Sequence, residues 1–253
     1  MKALLEPIKE IARFDELFRD LKKGTAGVTV ISGCLESQKA HMIAGLSEDA
    51  PVRLLIAENE LKAKELYEDY RLYDAETLYY PAKDLIFYQA DIHGNLLIRQ
   101  RLQVIQALLE RKEVTIITSV GGCMDFLLPL GVFEKHCIHL RNDSEFDLDK
   151  IRKELVRLGY ESTFQVESTG QFSVRGGILD IYPLTEQNPI RIELWGDEID
   201  SIRSFDAESQ RSIENLEEIT IYPASELILT EDTIARGVKA VSYTHLTLPT
   251  KLE

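Results

Sequence analysis

Four residues near the start of the chain set the first chemical question. Gly33, Gln38, Lys39 and Ala40 lie in the stretch Val28–Ala40, on the spacing of a phosphate-binding loop, Gly-x-x-x-x-Gly-Lys-Ser/Thr. Such a loop follows a buried strand and opens a helix, and its backbone N–H groups wrap the phosphates. Gly33 and Lys39 hold the places of the first glycine and the lysine. Gln38 stands where the second glycine would be, and its Cβ obstructs close wrapping. Ala40 replaces the Ser or Thr whose hydroxyl coordinates Mg²⁺, and it has no oxygen to offer. Glu36 adds a negative charge where phosphates would lie. An ordinary strand–turn–helix corner and a lapsed nucleotide site both account for these residues.

Hydrolysis would also need an apolar strand ending in Asp or Asp-Glu, to hold Mg²⁺ and orient water. The best match, Gly177-Ile178-Leu179-Asp180, runs on into Ile181-Tyr182-Pro183, and Asp197-Glu198 reads as a turn, so neither is a good catalytic acid. Asp91 and His93 could form an acid–base pair, but a solvated loop explains them as well. Cys137 between His136 and His139 lacks a second ligand pair, so the spacing points to structure rather than metal. Arg175 is different. Phe172 and Gly176-Gly177 flank it, and Arg191 and Arg203 sit on following strands. An exposed arginine–aromatic cluster is the chemistry of a protein-binding hot spot. The competing reading pairs Arg175 with Glu193 or Asp180 for structure.

Composition narrows the field. The 253 residues suit one large or two modest domains, and 44% hydrophobic content supports a real core. A formal net charge of −14 excludes a general affinity for nucleic-acid phosphates. Three scattered cysteines argue against a disulfide framework and fit a reducing cytoplasm. The N-terminus is unlike a signal peptide, and no apolar run reaches membrane-spanning length.

These residues need elements to hold them. Apolar positions from Leu4 to Leu21 predict an amphipathic helix over 1–23, broken near Arg13 and ended by Lys22-Lys23-Gly24. Strands are expected at 27–32, 52–57, 77–80 and 114–118, with helices over 37–46, 60–70 and onward from a cap at Asn95. A long connection, 82–94, carries Asp84, Tyr88, Asp91 and His93. Strands alternating with helices predict an α/β fold: a mostly parallel sheet with helices on both faces, its ligand crevice at the strand C-termini near Gly33 and Ser119. Near Pro129 the pattern changes. A helix over 147–158 precedes strand alternation at 164–166, 171–182, 190–194 and 198–205, a small α+β domain with an antiparallel sheet. A module of that kind is more often a docking surface than a catalytic centre. The expected divisions are 1–129, 130–217 and 218–240, the last the start of a further subdomain. Residues 241–253 lack the pattern of what precedes them and read as a non-native tail.

The block Phe172-Ser-Val-Arg-Gly-Gly-Ile-Leu-Asp-Ile-Tyr-Pro183, with Pro189 to Asp206 and Ser209-Gln-Arg211, resembles the UvrB-homology region of the bacterial transcription-repair coupling factors, the Mfd family. Asn95 to Leu128 is similar too. UvrB matches the same blocks, but it keeps an intact P-loop and a long tyrosine-rich hairpin segment. The resemblance implies a RecA/P-loop-like sheet with a vestigial loop, and a scaffold that recruits UvrA in transcription-coupled nucleotide excision repair. It implies no cofactor here, with ATP and Mg in motor domains elsewhere in the parent, an ATP-dependent DNA translocase. RNA polymerase and DNA would be partners of absent downstream domains. The expected fragment is a cytoplasmic monomer without membrane contact. Arg175 matches the family arginine implicated in UvrA contact, and Phe172 is its expected neighbour. Glu161 and Ser162 stand where the two families often place basic residues, which leaves that part of the electrostatic contact open. The alternative is a UvrB-type, nucleotide-dependent damage-recognition subunit.

Overall fold

The computed structural model describes residues 2–11, 13–23, 27–83, 91–125 and 127–228 and the single positions 235, 238 and 239; of 2, 3 and 91–95 it describes the backbone alone. Two compact units result, Met1–Phe126 and Leu127–Glu253.

The first unit contains α1 (Lys2–Leu5), a 3-10 turn (Glu6–Glu10), α2 (Phe14–Lys22), α3 (Glu36–Leu46), β1 (Val52–Ala57), α4 (Glu60–Tyr70), β2 (Leu78–Tyr80), α5 (Asp91–Leu109), β3 (Val114–Ser119) and α6 (Val120–Met124). The expected break falls at Arg13, whose φ of 71° cannot continue a helix. Three strands pair in parallel in the order β1-β3-β2. Parallel strands need crossovers, and the crossovers here are helical. On one face α5 packs Val104 and Ala107 against Tyr80, Val114 and Ile116. On the other, α3 and α4 bring Ala40, Ala44, Ala63 and Tyr70 against Leu55 and Ile117. Every residue of β3 is therefore buried, as its unbroken Val-Thr-Ile-Ile-Thr run requires.

Two expectations for this unit fail. Residues 27–32 are extended coil, with Val28 and Val30 90% and 84% exposed. Their β-branched composition suits a sheet, but pairing makes a strand, and among the described residues no ladder reaches them. Helix α5 begins at Asp91 rather than after a cap at Asn95. Asp91 and His93 thus sit in its first turn, with side chains outside the described residues, as are Asp84 and Tyr88.

The second unit contains α7 (Leu130–Glu134), β4 (Ile138–Arg141), α8 (Leu148–Arg157), β5 (Glu161–Ser162), β6 (Gln171–Arg175), β7 (Ile178–Ile181), β8 (Ile190–Trp195), β9 (Glu198–Phe205), β10 (Ser212–Leu216) and β11 (Glu218–Ile221). Six strands form one sheet in the order β10-β9-β8-β7-β6-β5, antiparallel except for the short β5–β6 pair. Its core face gathers Phe172, Leu179, Ile181, Ile190, Ile192 and Ile202, all buried. Asp147 caps α8, accepting Lys150 N–H at 3.0 Å. Gly159 ends that helix at φ +91°, a conformation glycine adopts without strain. The expected strand at 164–166 is absent, because the chain leaves the sheet edge after Ser162. Gly176-Gly177 divides 171–182 into β6 and β7. Strand β11 returns to pair with β4 in a separate two-stranded ladder, which the sequence reading did not anticipate. Of the expected division 218–240, residues 229–234, 236, 237 and 240 lie outside the described residues, as does the whole of the tail 241–253. Among the described residues, no helix is long and apolar enough to cross a membrane.

Candidate docking surface and the loop at Gly33

In the first unit, the loop has the frame of a phosphate site and a different occupant. Gly33 adopts φ +84°, and α3 starts three residues later. At the helix entry, Leu35 N–H donates to Gln38 Oε1 at 3.0 Å. The residue at the second-glycine position therefore folds back and takes up a backbone donor of the kind that phosphate would use. Lys39 Nζ donates to Glu36 Oε1 at 2.7 Å. That hydrogen bond first, and the lysine's charge second, hold the Glu36 carboxyl below its usual range. Ala40 is buried in the core cluster between helix and sheet. The position of the Mg²⁺-binding hydroxyl has become a packing position.

The carboxyl ends of the parallel strands are also filled. Glu60, the first residue of α4, accepts from Ser119 Oγ at 2.7 Å, from Ala82 N–H at 3.2 Å and from the Tyr79 hydroxyl. Burial, and secondarily this carboxylate, raise the Tyr79 pKa. Ser119 also caps α6 through Gly122 N–H at 3.1 Å. Nearby, the buried Arg101 donates to Pro81 O at 2.6 Å and Asp125 Oδ2 at 3.0 Å, and lies 4.0 Å over the Tyr80 ring. The crevice that an α/β sheet offers a ligand is here a set of internally satisfied polar groups.

In the second unit, the face of the six-stranded sheet opposite its core carries the charges. Side chains alternate along a strand, and the register aligns Ser173 with Asp180, Asp180 with Arg191, and Arg191 with Arg203. Asp180 is 1% exposed and holds two arginines. It accepts from Arg175 Nη2 at 2.7 Å, and from Arg191 Nε and Nη2 at 2.7 and 2.9 Å. Arg191 also stacks 4.4 Å over the Phe205 ring and donates to Gln210 Oε1 at 3.0 Å. Arg203 pairs with Glu193, which accepts Ser201 Oγ at 3.3 Å. Asp180 is thus an anchor for guanidinium groups.

Arg175 closes the row. Its side chain is 39% exposed, and Asp180 fixes one end of its guanidinium. The structural and recognition readings of Arg175 are compatible: the ion pair orients the group that remains accessible. Phe172 does not join it. It is fully buried, and three residues along a strand reverse the face, so the expected surface pair is one surface residue and one core residue. Glu161 and Ser162 are exposed on β5, at the edge of the sheet. Sequence reasoning did not single out Trp195, which is exposed at the end of β8 opposite Glu198.

The remaining candidates are accounted for locally. Cys137 Sγ donates to Phe133 O at 3.5 Å, and burial raises its thiol pKa to about 11. His139 Nδ1 lies 3.0 Å from Thr220 Oγ1. Among the described residues, no three His, Cys, Asp or Glu side chains are grouped to hold a metal.

The first unit is thus an α/β unit with a degenerate nucleotide-type loop, and the second carries a charged antiparallel sheet. Residues 138–227 match the family described as UvrB interaction domain. The chain is related over most of its length to the transcription-repair-coupling factors. That of Staphylococcus aureus strain USA300 is 38% identical over 240 residues, 93% of this chain and 20% of the relative. That of Bacillus subtilis strain 168 is 34% identical over 243 residues, 90% of this chain and 21% of the relative. The chain spans about one fifth of the length of these relatives.

Proposed function

We propose that this chain is the UvrA-recruiting region of a transcription-repair-coupling factor, acting in transcription-coupled nucleotide excision repair as a scaffold without nucleotide hydrolysis of its own. The observation that carries this reading is Arg175: an accessible guanidinium, oriented by a buried carboxylate, on the arginine-bearing face of the matched UvrB interaction domain. Oriented arginines are favoured hot-spot residues because little freedom is lost when they bind. In the first unit, Gln38, the Lys39–Glu36 pair and buried Ala40 support a scaffold role. The motor activity, RNA polymerase contact and DNA contact that the family name brings to mind belong, in this reading, to parts of the parent outside this chain. The protein works in the cytoplasm.

Calorimetric titration with purified UvrA tests the reading. The unmodified chain should bind, and Arg175→Ala should weaken binding by roughly 2 kcal/mol. Equal binding by both removes Arg175 from the interface, and no binding by either removes the function. Titration with Mg-ATP separates the UvrB-type alternative. Saturable binding at micromolar ATP that depends on Lys39 would overturn the scaffold reading.

A further inference from the structure

We propose that Gln210 is a positioning residue of the docking face, fixing which edge of the Arg191 guanidinium meets the protein partner. The assignment rests on the functional reading above. Arg191 needs support from outside its own strand pair, because its cross-strand neighbour on β9 is Arg203, and like charges directly opposite repel. Asp180 takes the Arg191 Nε proton at 2.7 Å and one Nη2 proton at 2.9 Å. Gln210 Oε1 takes the other Nη2 proton at 3.0 Å, and the guanidinium carbon lies 4.4 Å over the Phe205 ring. Among the described residues, no hydrogen bond engages Nη1. The side chain is 17% exposed, and the two Nη1 protons are the donors left for an acceptor oxygen of the partner.

The turn that joins β9 to β10 delivers Gln210 to this place. Gln210 adopts φ 60°, a left-handed conformation that is unfavourable for a residue with a side chain. Hydrogen bonds within the turn hold it there. Gln210 N–H donates to Asp206 O at 2.8 Å, and Asp206 N–H to Arg211 O at 2.9 Å. Ser209 N–H and Oγ donate to Asp206 Oδ1 at 2.8 and 2.6 Å. Gln210 Nε2 donates to Ala207 O at 2.8 Å, which leaves the amide's acceptor directed at Arg191. An amide oxygen holds the guanidinium without cancelling its charge, as a second carboxylate beside Asp180 would.

The test is a double-mutant cycle on the full chain, read by calorimetric titration with purified UvrA. Glycine and asparagine both adopt φ 60° readily. Gln210→Gly therefore keeps the turn and deletes the side chain, and Gln210→Asn keeps the turn and draws the amide back from Arg191. Each should bind UvrA roughly threefold more weakly, with an unfolding midpoint in urea close to that of the unmodified chain. In an Arg191→Met background the same substitutions should change affinity by less than about 1.5-fold, because a positioning residue acts only through the group it holds. Unchanged affinity of both variants, or an equal loss in the two backgrounds, overturns the proposal while leaving the UvrA reading in place. A loss of affinity that comes only with a lowered unfolding midpoint assigns Gln210 to the fold alone and overturns it as well. No binding of UvrA by the unmodified chain overturns the functional reading and this one together.

Discussion

Replacing Asp180 should damage the second unit far more than replacing the arginine that is proposed to meet the partner. Asp180→Ala removes three charge-assisted hydrogen bonds, from Arg175 at 2.7 Å and from Arg191 at 2.7 and 2.9 Å. Taking one partner from a buried ion pair costs about 3–5 kcal/mol, because the other charge is left without compensation. The two arginine side chains are 39% and 17% exposed, so water recovers part of that loss. The expected cost falls at the low end, about 3 kcal/mol. Arg175→Ala deletes one hydrogen bond from an accessible arm and leaves Asp180 both bonds from Arg191, a cost below about 1 kcal/mol. Hydrogen–deuterium exchange read on peptides covering residues 171–195 measures both. At 1.4 kcal/mol per tenfold, Asp180→Ala should accelerate the slowest amides by roughly a hundredfold. Arg175→Ala should accelerate them by less than about fivefold. Equal acceleration by the two substitutions would refute the view of Asp180 as the shared anchor.

Two further outcomes follow from local physics. The Cys137 thiol pKa rises from an ordinary 9.0 to about 11, by burial first and the Glu134 carboxylate second. The fold therefore favours the protonated thiol; the resulting stability is fully present below pH 9 and is lost as pH climbs towards 11. At pH 8, iodoacetamide followed by mass spectrometry should label the exposed Cys123 at least about tenfold faster than Cys137. Gly159→Ala should lower stability by about 1–2 kcal/mol, measured by urea unfolding, since φ is +91° and the new Cβ would lie 2.9 Å from Ser225 Cβ.

The elements with unambiguous periods could be read from the sequence. Val114 to Thr118 is apolar or β-branched throughout and is buried throughout, and Asp147 caps α8 where the helical pattern begins. Val28 to Ile31 shows where composition stops being informative. Those residues are as strand-like as β3, yet a ladder depends on a partner elsewhere in the chain, and local composition does not name it. The same limit hid the β4–β11 pairing, which joins residues near 140 to residues near 220. At the loop, residue identity gave the missing chemistry, but not its replacements. That Gln38 would take the Leu35 N–H, or that Ala40 would pack against the sheet, depends on geometry.

The candidate docking surface is legible more sharply by the period of two than by proximity in sequence. Phe172 and Arg175 look like neighbours on paper. In a strand, a separation of three places one in the core with Leu179 and Ile181 and the other outside with Asp180. From Arg191, a step of two to Glu193 stays on the charged face, ahead of the register shift between Glu193 and Leu194. The arginines on that face are held by carboxylates from neighbouring strands, so the sheet fixes their direction before a partner arrives. Recognition then loses little side-chain entropy, because the guanidinium of Arg175 is already tethered. A surface that acts through preorganisation predicts that loosening the tether weakens binding without removing any contacting group. Arg191→Met, which keeps Arg175 but leaves Asp180 held from one side, should weaken UvrA binding by a few-fold, read by the same calorimetry. Unchanged affinity would mean that the row behind Arg175 serves only the fold.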